Sequence, residues 1–161
     1  MGDRLDHSSL SFPSFSFLVL GGYTDFIVPS VFANAHGAIT GLANIAPYAI
    51  KSLMDSAFAS VPLSTSTLAK HGSPTQLLRE SQRLQGVIAK ADRTVALTSV
   101  AGTKWLLRRL DPETYPEGAE EPRRPLSRTA DEVGERLLAH ADVKALLLEE
   151  LKLKQVAGWV N

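Results

Sequence analysis

The sequence has no cysteine. That removes disulfide frameworks, thiolate nucleophiles and Cys-ligated zinc. A cysteine-free chain fits a reducing compartment, and the cytoplasm is the expected one, with mitochondria as the alternative. Net charge is missing too: 17 Lys+Arg stand against 17 Asp+Glu. No long-range field therefore draws the chain to nucleic acid or to an anionic membrane, and neither is expected as a partner. Length is also short. A complete eight-stranded βα barrel takes about 250 residues, and this chain has 161. What is present is ordinary for a globular protein, with 44% hydrophobic and 21% charged residues.

Charge is scarce in one half. Residues 1–69 hold only Asp3, Arg4, Asp6, Asp25, Lys51 and Asp55, and every other charge lies from Lys70 onward. Phe26 to Ile50 has no formal charge and is long enough to cross a bilayer. Yet Pro29, Asn34, His36, Gly37, Gly41, Asn44 and Pro47 interrupt it and would leave polar groups in lipid. A secretion signal is not expected, because Asp3 and Asp6 flank Arg4 and the apolar run Phe15–Leu20 is short. The interior of an α/β fold explains the missing charge better, since parallel strands covered by helices are apolar on both faces.

Local signals agree. Phe15 to Leu20 reads as a strand ending at Gly21-Gly22. Asp25 to Ala33 reads as a helix, and Ala38 to Thr40 as a short buried strand between glycines. Pro47 suits the first turn of a second helix. Residues 61–74, rich in Ser, Thr and Gly, read as a loop. Ser73 and Pro74 open a long helix with Leu77, Leu84, Ile88 and Ala91 on one face. Another helix spans about Ala101 to Leu110, and the four prolines of the stretch from Asp111 through Pro125 predict a solvated loop. Thr129 and Glu132 have capping-box spacing for a third helix, and Asp142 is placed to cap a fourth, through about Lys154. The expected class is mostly α with a small parallel β part.

Several segments carry a resemblance. Gly21-Gly22-Tyr23-Thr24-Asp25-Phe26 and His36-Gly37-Ala38-Ile39-Thr40-Gly41-Leu42-Ala43-Asn44-Ile45-Ala46-Pro47 are similar to the seventh and eighth βα units of the dihydrodipicolinate synthase/N-acetylneuraminate lyase family. The 4-hydroxy-2-oxoglutarate aldolase-like branch is the nearest in character. Ala101-Gly102-Thr103-Lys104 and Arg123-Arg124-Pro125-Leu126 resemble that family's C-terminal helical extension. The resemblance implies an incomplete (β/α)8 barrel. Residues 1–14 would be unmatched, 15–60 the last two βα units, 61–74 a loop, 75–154 the helical extension and 155–161 a tail.

The resemblance also implies an activity: carbon–carbon cleavage or condensation of 2-oxo acids such as pyruvate, through a lysine Schiff base and without a cofactor or metal. The protonated imine is the electron sink. In the family the imine-forming lysine lies on the sixth strand, upstream of the matched region, and residues 1–50 contain no lysine. The family's tyrosine and carboxylate-binding segment lie farther upstream. Lys104 matches a lysine of the helical extension and does not replace the missing one. The chain thus reads as a truncated member, inactive alone, with no residue in a catalytic role. The alternative is a non-enzymatic helical module that self-associates or pairs with a full-length homologue.

Two positions are carried over as substrate-binding. Gly22 matches a strand-seven position whose backbone lies near the keto acid, and Ile39 a strand-eight position beside the imine. Taken without the resemblance, glycines after strands serve turns and Ile39 is a core residue. Other constellations are weak. No GxGxxG or Walker spacing accompanies Gly21-Gly22, no GxSxG elbow exists, and His7, His36, His71 and His140 lack metal-ligand spacing. Arg108-Arg109 and Arg123-Arg124 are balanced by Glu117, Glu120 and Glu121. Tyr23 has no evident base.

Overall fold

The computed structural model describes residues 17–61 and 73–158. Segment 1–14, most of the expected 61–74 loop, and the end of the 155–161 tail lie outside them, as do Phe15 and Ser16 of the expected first strand.

The elements run β1 (Leu20–Gly21), α1 (Ile27–Phe32), β2 (Gly37–Ala38), a 3-10 turn (Gly41–Asn44), α2 (Pro47–Ser60), α3 (Pro74–Ala96), α4 (Ser99–Leu110), α5 (Asp131–Ala139) and α6 (Ala141–Val156). The fold is mostly helical with one small parallel sheet. β1 and β2 pair with Leu20 opposite Gly37 and Gly21 opposite Ala38, and α1 connects them. The expected βαβ order is thus present, but the ladder is shorter than the apolar runs suggested. Phe17 to Val19 is not strand, and β2 stops before Ile39 and Thr40. Alternation reports which way side chains face, whereas a ladder needs a partner for its backbone.

α3 is the central element, packing on α1, α2, α4 and α6. Its buried stripe of Leu84, Ile88, Ala91 and Val95 meets Leu53 and Ala57 of α2 and Val143 and Leu146 of α6 within one core. Each fully buried leucine there contributes about 1.5–3 kcal/mol. Leu77, expected on that stripe, is half-buried one turn inside the N-terminus. α4 and α5 touch closely. Gly134 lies against the Trp105 indole so tightly that an added Cβ would overlap the ring. No helix among the described residues is long and apolar enough to cross a membrane.

Helix starts show where local pattern decides and where it does not. α3 begins with a complete capping box: Ser73 Oγ accepts from Gln76 N–H and Gln76 Oε1 accepts from Ser73 N–H. The expected box at Thr129 and Glu132 does not form. α5 starts after Ala130 without a side-chain cap, and Thr129 is buried just before it. Asp131 instead accepts the Trp105 Nε1–H at 2.9 Å. α6 is capped by His140, whose Nδ1 accepts from Asp142 N–H at 3.3 Å, so Asp142 sits in the first turn rather than at the cap. α4 begins at Ser99, two residues earlier than expected.

Candidate functional site

The turn leaving β1 is built by a helix distant in sequence. Thr24 is fully buried, and its backbone N–H and Oγ1–H both donate to Asp92 Oδ2 of α3, each at 2.7 Å. Two turns earlier on α3, Gln85 donates to the Thr24 carbonyl at 2.7 Å and accepts from Val28 N–H at 2.8 Å. A carboxylate as buried as Asp92 must be satisfied, and Thr24 supplies two donors. Gln85 reaches an otherwise uncapped helix: Phe26 offers α1 no side-chain cap. The turn leaving β2 is held locally. Ile39 N–H donates to the Gly21 carbonyl at 2.8 Å, and Thr40 Oγ1 accepts from Leu42 N–H at 3.2 Å, starting the 3-10 turn.

Both strand ends open toward one cavity of about 540 Å³, between the strand layer and the α3–α4 corner. Gly22, Tyr23 and Thr40 line it from the turns that leave the strands, Asp92 and Lys104 from α3 and α4, and Tyr115 from the following loop. Tyr115 is placed by a turn: Asp111 Oδ1 accepts from Thr114 N–H at 3.0 Å, and the Asp111 carbonyl from Tyr115 N–H. The Thr114 N–H holds the Asp111 carboxyl below its ordinary range. Farther along, Glu120 is pushed down by its own backbone N–H and by Gly118 N–H, with Arg128 and Arg108 adding favourable charge. Lys104 Nζ donates to the Glu121 carbonyl at 2.6 Å. Ser99, on the cavity wall, has φ of +54°, a conformation that non-glycine residues seldom adopt.

Gly22 is therefore an exposed glycine on the cavity wall, whereas Ile39 is 73% exposed and lies outside the lining. Tyr23 is on the wall. His36 is elsewhere, accepting from Val19 N–H at 3.1 Å through Nδ1. Asp92 and Gln85 were not singled out in the sequence, although the signal was there. Both lie along one edge of the α3 stripe of Leu84, Ile88, Ala91 and Val95, Asp92 buried and Gln85 half-buried, where a polar residue seven positions from another shares its side of the helix. Among the described residues no His, Asp and Glu group is arranged to hold a metal ion. A larger groove of about 770 Å³ runs among α2, α3 and α6, away from the strand ends. Its charged residues are occupied: Lys51 pairs with Asp55 and Glu80 with Arg83.

Chemically, the strand-end cavity offers the Lys104 ammonium, the Asp92 carboxylate, two phenols, the hydroxyls of Thr40, Ser99 and Thr103, and backbone from the glycine turn. The Asp92 carboxylate is engaged by the Thr24 N–H and Oγ1–H, and Lys104 by the Glu121 carbonyl. Comparison with protein-family models, with curated proteins and with solved structures returns no match.

Proposed function

We propose that the chain is a catalytically silent portion of a pyruvate-dependent Schiff-base aldolase, corresponding to its last two βα units and its helical extension. The observation that carries this reading is the β1–α1–β2 unit. Its strands run parallel and end together at one cavity, with Gly22 on the wall. Barrel enzymes gather their chemistry at the C-terminal ends of their strands. The reading is of a silent portion because imine formation needs an amine on the strand side of that cavity. The described strand layer has none, and the first lysine of the chain, Lys51, lies within α2. The cavity's ammonium, Lys104, belongs to α4 and is engaged with the Glu121 carbonyl. A 2-oxo acid is then a ligand held by hydrogen bonds alone.

Trapping tests it directly. The full chain is incubated with pyruvate and borohydride and weighed by mass spectrometry. We expect unmodified protein. A stoichiometric reduced pyruvyl adduct confined to one lysine would overturn the silent assignment, and peptide mapping would show whether Lys104 carries it.

A further inference from the structure

The sheet has two strands among the described residues, so β1 presents an edge with no strand beside it. One side of the chain here is spoken for: the Val19 and Gly21 carbonyls accept from His36 and Ile39 N–H, each at 2.8 Å. The opposite side faces outward. Around it the side chains are apolar and uncovered. Phe17 is 81% exposed, Leu18 60%, Val19 49% and Leu20 44%. Tyr23, Phe26, Phe32 and Ile39 of the same layer are each at least 40% exposed. Ile39 hydrogen-bonds Gly21, and the Phe26 ring lies against the Gly21 α-carbon, so these residues adjoin the strand. Asp25 is the only Asp, Glu, Lys or Arg from 17 to 50, and His36 is the one histidine.

We infer that this layer is the interface between two copies of the chain, with β1 lying antiparallel to the β1 of its partner about a two-fold axis. Three observations favour a second copy over another occupant. Leaving out Tyr23, which lines the cavity, the seven exposed side chains present roughly 700 Å² over both sides of the layer, close to what each partner contributes to a stable interface. A self-complementary patch must not repel itself, and this one is almost free of charge. A two-fold axis through an edge strand also closes the sheet into four strands, so both copies use the same edge and neither leaves it open. The inference does not depend on the aldolase reading, and a negative trapping result leaves it untouched.

Sedimentation velocity of the full chain at micromolar concentration tests it. We expect a dimer. Leu18→Lys should weaken association about a hundredfold by burying an unpaired charge. Leu97→Lys, at a position 85% exposed in the α3–α4 turn, should leave association unchanged. Both variants should keep the native circular dichroism. A monomeric native chain would overturn the inference, with residues 1–16 covering the edge in cis as one route to that outcome. Open-ended growth would also overturn it, as would a dimer insensitive to Leu18→Lys. Should Leu18→Lys fail to fold, the cysteine-free background allows a second route. Leu18→Cys is treated with a short bis-maleimide, and Leu97→Cys serves as control. Cross-linked dimer from the first alone supports the interface, and equal or no cross-linking from the two refutes it.

Discussion

The strand layer and the helical region solve the same problem in opposite ways. Every helix leaves its first N–H groups without partners. In the helical region, α3 and α6 satisfy theirs from neighbouring residues, Ser73 and His140. In the strand layer, α1 and α2 have no side-chain cap of their own at Phe26 or Ala46. Their N–H groups are met from afar: Gln85 accepts from Val28, and Glu150 accepts from Ala49 at 2.8 Å. Thr24 depends on Asp92 in the same way. The layer poor in charge borrows its polar partners from the region rich in them. In the helical region α3 and α6 are specified locally, although α4 and α5 start without side-chain caps, and the strand layer is specified by contact with that region.

The comparison breaks most sharply at Asp92. Replacing it with alanine orphans two buried donors of Thr24, at a cost of about 3 kcal/mol. We expect a lower Tm for Asp92→Ala, with amide hydrogen exchange of residues 20–40 accelerated well before that of α3. Uniform acceleration across the chain would show that the strand layer has no separate dependence. Ser73→Ala should be milder, about 1 kcal/mol, because an exposed N-cap is lost. Its effect should stay within the first turns of α3, as seen by exchange, and spread into the strand layer would contradict the local character argued for that helix.

Acid gives the smallest effect per group. Glu149 is held below its ordinary range chiefly by the Arg83 guanidinium. Trp105 Nε1–H, with Arg128 nearby, does the same for Asp131. A carboxyl whose folded pKa is lowered contributes stability that is complete above its unfolded value, about 4.3 for Glu, and is lost as pH falls through the folded value. Tm should therefore be flat near neutrality and fall below that point. Arg83→Met removes the partner, so its Tm should fall less steeply with acid than that of the native chain. Parallel curves for the two would show that the Arg83–Glu149 pair adds nothing.

What the sequence revealed follows the same division. The start of α3 at Ser73-Pro74, and its stripe through Leu84, Ile88 and Ala91, were legible because both signals are local. The parallel pairing of the two short strands was also legible, from glycines bounding apolar runs. The failures were local signals overruled by packing. Thr129 and Glu132 have the right spacing, but Asp131 is drawn to Trp105 and the box does not form. For α6, His140 takes the capping place that Asp142 seemed suited to. Of the candidate site, Gly22 lines the cavity, but the turn's supports, Gln85 and Asp92, lie 61 and 68 residues away from Thr24. No window of sequence short enough to show periodicity contains both ends of such a bond.

The borrowed cap of α2 has a consequence for synthesis. Ala49 and Glu150 are separated by 101 residues. A ribosome adding about 5–20 residues per second needs on the order of ten seconds to make that interval. For that time the strand layer exists without the carboxylate that caps α2, and for part of it without Asp92 and Gln85. The most apolar stretch of the chain is made first and completed last, so this is the window in which a nascent-chain chaperone has something to hold.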